Sequence, residues 1–335
     1  MRDGVAAAGA RGDGAPWAAA PACGVCGSPG WRPAGEICGK RYAACDRCGV
    51  VRLYDRVSED WLELLYGDYY PAPDPPPAQL VRQLANPTFA HRRRRLEAVV
   101  PAGHRRIFEV GCGDGNFLAS LRRAGWRVGG SEFAPASAAV VRRRHGIDPF
   151  VGDVMHGVPQ GAPFPVVGAY HVLEHVYHPA EWLDALGRML EPGGVLHLQV
   201  PNLASLTHRL TGAAWASMMF PQHVYFYTPR TLAAVLERHG FEVLSTTTWD
   251  PWHGPGTVIA SAAAAVRRLR TGRLPWSDRL PEPADPCAAE TRGEPATRGR
   301  PGPLRTMLDL ASIPLARAEA AVGRGAVVDV LARIR

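Results

Sequence analysis

The run "RIFEVGCGDGNFLASLRRAG", residues 106 to 125, restricts the fold more than any other stretch. An apolar-biased strand of five residues enters a turn with glycines at alternate positions, and a helical period follows at once. A strand that feeds a helix through so short a turn is the opening of a strand–helix–strand unit, which requires a parallel sheet covered by helices. The chain then repeats the alternation. "WRVGGSE" is a second strand, and "PASAAVVRRRHG" is a helix opened by Pro135 and closed by Gly146. "IDPFVGD" and "FPVVGAYHV" are strands three and four. "PAEWLDALGRML" sets Trp182, Leu183, Leu186, Met189 and Leu190 on one helical face, "EPGG" turns the chain, and "VLHLQVPN" is strand five. "PRTLAAVLERHG" and "FEVLSTTTW" give a further helix and strand six.

Around this domain, numbered 73–250, the signals differ. Residues 1–22 are Ala- and Gly-rich, with Arg2, Asp3, Arg11 and Asp13 interrupting any apolar run, and read as a disordered tail rather than a signal peptide. Residues 23–72 hold Cys23, Cys26, Cys45 and Cys48 as C-x2-C-x18-C-x2-C. Two-residue spacing lets both thiolates of a knuckle reach one tetrahedral ion, and Gly27 and Gly49 open the backbone behind each knuckle, so a zinc ribbon with a structural Zn2+ is expected. Cys38, Cys112 and Cys287 have no such spacing. "VVRLY" alternates like a strand, "SEDWLELLYG" is a short helix between Ser58 and Gly67, and "YYPAPDPPP" marks a boundary. "AHRRRRLEAVV" is a helix whose arginines, like Arg142 to Arg144, read as solvated faces. Residues 251–322 form an insertion with an Ala-rich helix near 258–269, a mobile Pro-, Gly- and Arg-rich stretch, and an amphipathic helix in "LRTMLDLASIPLARAEAAV". Met307, Leu308, Leu310, Ile313 and Leu315 within 304–322 suit a weak contact with a membrane surface, with packing on the domain itself as the alternative. Residues 323–335, "AVVDVLARI" among them, are a last strand beside strand six.

The glycine turn narrows the chemistry. A phosphate-binding P-loop needs G-x4-G-K-[ST], and Lys40 is the chain's only lysine. A dinucleotide turn needs G-x-G-x-x-G, but counting from Gly111 and Gly113 the third glycine position holds Asn116. The spacing is E-x-G-x-G-x-G, and Glu109 at the strand's end suits a ligand that carries an ammonium group.

These residues resemble motif I of class I S-adenosylmethionine-dependent methyltransferases. The resemblance continues in order through Glu132, seventeen residues after Gly115, then Asp153 in "VGDV", "HVLEHVYHP", "LEPGGVLHLQVPN" and "HVYFYTPRTLAAVLERHGFEV", which are similar to signatures of the family's small-molecule branch. It departs at Pro165, where that branch usually has Asp. It implies an α/β fold with a Rossmann-like seven-stranded sheet, six strands parallel and the seventh antiparallel between the fifth and sixth. It also implies S-adenosylmethionine as cofactor, held by Glu109, Gly111, Gly113, Gly115, Glu132, Phe133, Asp153, Val154 and His171, with Glu132 on the ribose hydroxyls and Asp153 on the adenine. "HVLEH" also spells the H-x-x-E-H of inverted zinc proteases, but it follows strand four as a loop, and the protease reading is set aside.

Methyl transfer requires in-line alignment and one proton removed. His223, His175 and Tyr225 are the candidate bases, near the loops after strands four and five. A zinc ribbon ahead of this domain also resembles sugar C-methyltransferases, which carry a Glu-His pair where this chain has Gln222 and His223. The expected function is therefore methylation of a hydroxyl or carbon on a small acceptor: a sugar, glycolipid or other lipid-linked glycan, or a natural product. Two alternatives stand beside it: an RNA methyltransferase whose ribbon binds nucleic acid, and a scaffold that binds the cofactor without turnover. The net charge of +7 permits the first, but the ribbon offers few basic and stackable residues for nucleic acid, namely Arg32, Lys40, Arg41, Arg47, Trp31 and Tyr42. A cytoplasmic location is expected.

Overall fold

The computed structural model describes residues 22–37, 39–55, 86–274 and 303–335. The expected tail, Cys38, the helix from Ser58, the proline-rich boundary and residues 275–302 with Cys287 lie outside the described residues. The ribbon contributes β1 (Trp31–Ile37), β2 (Lys40–Cys45) and β3 (Val51–Leu53). The main sheet is built from β4 (Arg106–Val110), β5 (Arg127–Glu132), β6 (Phe150–Val151), β7 (Phe164–Tyr170), β8 (Leu190–Pro201), β10 (Phe241–Thr247) and β11 (Val327–Ile334). A further short strand, β9 (Tyr225–Phe226), leaves this domain and joins the ribbon.

The seven strands lie in the order β10-β11-β8-β7-β4-β5-β6, with β11 antiparallel to both neighbours and β4 to β8 mutually parallel. The strands are buried on both faces, so Ile107, Val166, Val167, Leu196, Leu198, Val200, Val328 and Val330 form near-continuous apolar runs. Two local departures from expectation have backbone causes. Pairing of β7 with β8 shifts register between Phe164 and Val166, at Pro165, which has no N–H to donate. The "EPGG" expected as a turn lies inside β8, which already pairs at Leu190, and Gly193 takes the bend at φ +73°.

Helices α1 (Pro87–Glu97), α2 (Asn116–Arg123), α3 (Pro135–His145), α4 (Pro179–Met189), α5 (Leu206–Thr211) and α6 (Pro229–Arg238) cover the sheet and its loops. The arginines of α1 do not form a solvated face. Arg92 is buried, donates to Gln199 Oε1 and lies 4.0 Å from the centre of the Tyr170 ring. Arg95 pairs with Asp329 at 2.8 Å. The cause is a pair of buried carboxylates, Asp329 and Asp250, which need nearby charge and donors. His197 Nε2 donates to Asp329 at 2.9 Å, Gln199 Nε2 donates to Asp250 and Asp329 at 3.1 and 3.2 Å, and the Thr88 hydroxyl donates to Asp250 at 2.8 Å.

Helix α7 (His253–Thr271) starts before the Ala-rich segment because Asp250 Oδ1 accepts the backbone N–H of Trp252 and His253 at 2.8 and 2.6 Å. Helices α8 (Pro303–Ala311) and α9 (Ile313–Ala321) pack on α7, with Ser312 Oγ donating to the Pro255 carbonyl at 3.2 Å and Glu319 accepting from Thr207 at 2.9 Å. Leu304, Met307, Leu310 and Leu315 remain exposed.

Asp329 is fully buried, and deleting its carboxylate strands Arg95 and His197. Asp329→Ala is therefore expected to cost about 3–5 kcal/mol in urea unfolding. Burial alone would raise this carboxyl, but His197 and Arg95 hold it below its ordinary value. Its contribution should be complete above about pH 4 and fade as the pH falls through the lower folded value, so the mutant's deficit should shrink in acid.

Candidate active site

The glycine turn joins β4 to α2 at the carboxyl end of the sheet, where open α/β folds bind ligands. Gly111, Gly113 and Gly115 all have φ between +59° and +72°. Each has a different reason to lack a side chain. A Cβ on Gly111 would come within 2.8 Å of Val172 Cγ2, and one on Gly115 within 2.8 Å of Val141 and 2.9 Å of the His145 ring. A Cβ on Gly113 would meet nothing within 4 Å, so this residue leaves space above the turn. Glu132, at the end of β5, accepts the Gly113 backbone N–H. Glu109, at 4% exposure, keeps Oε2 without a partner, and burial pushes its carboxyl up to about 8 although Arg92 opposes the shift. Phe133 next to Glu132 is 77% exposed. Asp153 Oδ1 accepts the Met155 N–H at 2.8 Å, and Val154 is buried beside it. An orphaned buried carboxyl oxygen on the strand that enters an open glycine turn fits a ligand that supplies a hydrogen-bond donor.

A second cluster forms after β7. His171 leaves the strand at φ +60°, and a 3-10 turn at Leu173–His175 follows. Glu174, at 1% exposure, lies 3.2 Å from His171 Nδ1 and 4.0 Å from His223 Nε2. The His175 and His223 rings meet edge-on at 4.6 Å, and the His253 ring from the start of α7 lies 4.5 Å from that of His171. The nitrogens of His175 and His223 and a carboxylate oxygen of Glu174 all lie within 4.8 Å of one another. Burial pushes Glu174 up to about 7, and it pulls His171 and His223 well below the ordinary histidine value. Tyr227 has a buried hydroxyl without a hydrogen-bond partner, and Glu174 is among the charges that act on it. Tyr225 is directed elsewhere: its ring lies under Arg52, its hydroxyl is the nearest atom to Gly24, and burial pushes it up to about 12.

The four ribbon cysteines are free thiols gathered within 4.8 Å of one another. Cys23 Sγ lies 3.7 Å from Cys48 Sγ, and Cys26 Sγ lies 3.5 Å from Cys45 Sγ. Metal–sulfur bonds of about 2.3 Å give a tetrahedron with edges of about 3.8 Å, so the sulfurs stand where one tetrahedral ion would hold them. The knuckles match each other in backbone: Gly27 N–H donates to the Cys23 carbonyl at 2.8 Å and Gly49 N–H to the Cys45 carbonyl at 2.9 Å. The ribbon is not a detached module. Its sheet runs β1-β2-β3-β9, with Val51 opposite Phe226 and Arg52 opposite Tyr225, so its last strand comes from the segment that carries His223. Leu53 N–H donates to the Val224 carbonyl at 2.8 Å, and Val224 N–H donates to the Glu174 carbonyl at 2.8 Å.

A family model described as a methyltransferase domain matches residues 79–246, spanning the glycine turn, the Glu174 turn and His223. The chain belongs to the S-adenosylmethionine-dependent methyltransferases. A ubiquinone biosynthesis O-methyltransferase of Xylella fastidiosa strain 9a5c is 32% identical over 170 residues, covering 46% of this chain and 68% of its own length. A probable S-adenosylmethionine-dependent methyltransferase of Mycolicibacterium smegmatis is 30% identical over 222 residues, covering 62% of this chain and 80% of its own. A mitochondrial ubiquinone biosynthesis O-methyltransferase of Mus musculus is 27% identical over 222 residues, 59% of this chain and 60% of its own.

Sequence reasoning about this methyltransferase missed Glu174 and His253. Glu174 stood in view within "HVLEH", but its partner His223 is far along the chain, and only the fold brings them together. His253 lies in the segment read as an insertion and carries no motif. The ribbon contact is testable. A Cβ at Gly24 would lie 2.7 Å from the Tyr225 hydroxyl and 3.3 Å from Pro179 Cδ, so Gly24→Ala should lower stability by about 1–3 kcal/mol in urea unfolding. Gly103→Ala, where a Cβ meets nothing within 4 Å, should be close to neutral.

Proposed function

We propose that the methyltransferase moves a methyl group from S-adenosylmethionine to a hydroxyl or carbon of a small acceptor, with His223 taking the acceptor's proton. The observation that carries this reading is the closed cluster of Glu174, His175 and His223 next to the glycine turn, linked to it by Val172 at Gly111. The relatives named as O-methyltransferases favour a hydroxyl over a carbon. A sugar, glycolipid or natural product remains the proposed acceptor class. A small acceptor also suits the ribbon, because Trp31 and Tyr42 are buried and offer no platform for stacking a nucleic-acid base.

Bound S-adenosylmethionine supplies an electrophilic methyl carbon. The chain's own residues do the rest. On this reading Glu109 accepts from the ammonium group and Glu132 from the ribose hydroxyls, and Phe133 and Val154 enclose the adenine with Asp153 at its rim. Gly113 leaves the passage between them open. Phe226, whose ring lies 6.3 Å from that of His223, and the buried Phe220 and Tyr227 of the same segment exclude water from the acceptor. His223 Nε2 holds the proton after transfer. In the ribbon, Cys23, Cys26, Cys45 and Cys48 would hold one structural Zn2+ with no open position for catalysis.

Calorimetry should detect binding of S-adenosylmethionine, and Glu132→Ala should weaken it by roughly 2–3 kcal/mol, the value of charge-assisted hydrogen bonds. His223→Ala should bind as wild type does, yet turn over about 10²–10⁴ more slowly with an acceptor. Absence of heat in folded wild-type protein would count against the whole reading. Elemental analysis should find close to one zinc per chain. Removing it with a chelator should speed amide hydrogen exchange at Leu53 and Val224, whereas exchange in β4 and β7 should stay slow.

A further inference from the structure

The segment between β10 and β11 leaves apolar side chains in water that its own packing does not use. On α7 the buried residues are Gly254, Pro255, Thr257 and Ser261, all in the first half of the helix. Beyond them Val266 and Leu269 are 47% and 87% exposed. Helix α8 presents Leu304, Met307 and Leu308 at i, i+3 and i+4, which is one helical face, and all three are exposed. Helix α9 turns Ala316 and Glu319 inward, and Leu315 and, at its end, Val322 stay exposed seven residues apart. Two hydroxyls tie α8 and α9 to the domain, Ser312 on the Pro255 carbonyl and Thr207 on Glu319, and the apolar faces are left outside.

The same helices are cationic. Residues 253–274 and 303–322 hold six arginines against two acids, Asp309 and Glu319. Glu319 is buried, so Asp309 is the acid left to oppose them. Arg268 and Arg270 are exposed and flank Leu269 in sequence. Arg317, between Leu315 and Val322, is exposed too, with its guanidinium 5.5 Å from the centre of the Trp249 ring. None of these helices is long and apolar enough to cross a membrane. Apolar faces bordered by arginines instead suit a helix pair that lies in a lipid interface.

We propose that the outer face of α7, α8 and α9 docks on an anionic lipid surface. The leucines and Met307 enter the boundary of the acyl chains, and the arginines meet headgroup phosphates while their alkyl stems lie along the apolar layer. Other occupants satisfy only part of this face. RNA would pair with the arginines and leave the leucines in water. A second copy would cover the leucines but set like charges opposite each other. Residues 275–302, which join α7 to α8, offer Trp276 and Leu280 as their large apolar side chains, too few to cover the eight exposed on these helices. None of these side chains belongs to the active site, so the inference is independent of the reading of His223.

Sedimentation of the full chain with lipid vesicles tests this. Vesicles of phosphatidylcholine with phosphatidylglycerol should carry the protein down at low salt, vesicles of phosphatidylcholine alone should not, and high salt should release it. The double variant Leu304→Ser with Met307→Ser should bind about tenfold more weakly or worse, and so should Arg268→Glu with Arg270→Glu. Both change exposed side chains, so their urea midpoints should match wild type. In the unsubstituted chain, anionic vesicles should slow amide hydrogen exchange in α8 and the end of α7 and leave β4 and β7 unchanged. Failure of the wild type to sediment with anionic vesicles overturns the proposal, and so does wild-type sedimentation of either double variant. A dimer in gel filtration that Leu304→Ser with Met307→Ser disperses, in place of vesicle binding, would assign the face to a second copy. Capture of single-stranded RNA that the arginine variant alone loses, in place of vesicle binding, would assign it to nucleic acid, and either result overturns the proposal.

Discussion

Val224 carries the two backbone hydrogen bonds on which the site depends. Its carbonyl accepts from Leu53 in the ribbon, and its N–H donates to the carbonyl of Glu174. One peptide segment thus ties the cysteine knuckles to the turn that follows β7, and His223 sits one residue before it. The ribbon is consequently a wall of the proposed reaction chamber. Its apolar residues Val50 and Leu53 and its cysteines share a core with Trp215, Phe220 and Phe226, so the two parts bury one continuous surface.

Low polarity inside that wall sets the ionisation of its side chains. Burial raises Glu109 and Glu174 and lowers His171, His175 and His223, so both kinds of group are pushed toward their uncharged forms. The arrangement favours neutral imidazoles beside carboxyls held above their ordinary range. Outside the chamber the same burial is answered differently. Asp250 and Asp329 are held below the usual carboxylate range because arginine, histidine and amide donors surround them. That network ties α1, β8 and β11 together and starts α7, so the insertion and the first helix are anchored through the same two carboxylates.

The glycine turn shows how sterics and binding share one motif. Gly111 makes room for Val172 and Gly115 for α3, both demands of packing, and only Gly113 faces empty space. Three residues that look equivalent in sequence thus have separate duties, and the acidic residues at the ends of β4 and β5 flank the one that opens to ligand.

By itself the sequence determined the strand and helix alternation, the last strand beside strand six, the glycine turn with its acidic neighbours, and the C-x2-C knuckles. All are written in short-range periodicity, backbone freedom or fixed spacing. Arg92 and Arg95 could not be read correctly, because a run of arginines looks solvated until buried carboxylates from β11 and the end of β10 are brought against it. The union of ribbon and domain was equally hidden, since a two-residue strand at Tyr225 and Phe226 has no period to detect. Only the tertiary structure decided which carboxylate meets His223. The position that the resemblance singled out is 222, where glutamine stands, whereas the carboxylate that the fold brings to 4.0 Å from His223 Nε2 is Glu174, far away along the chain.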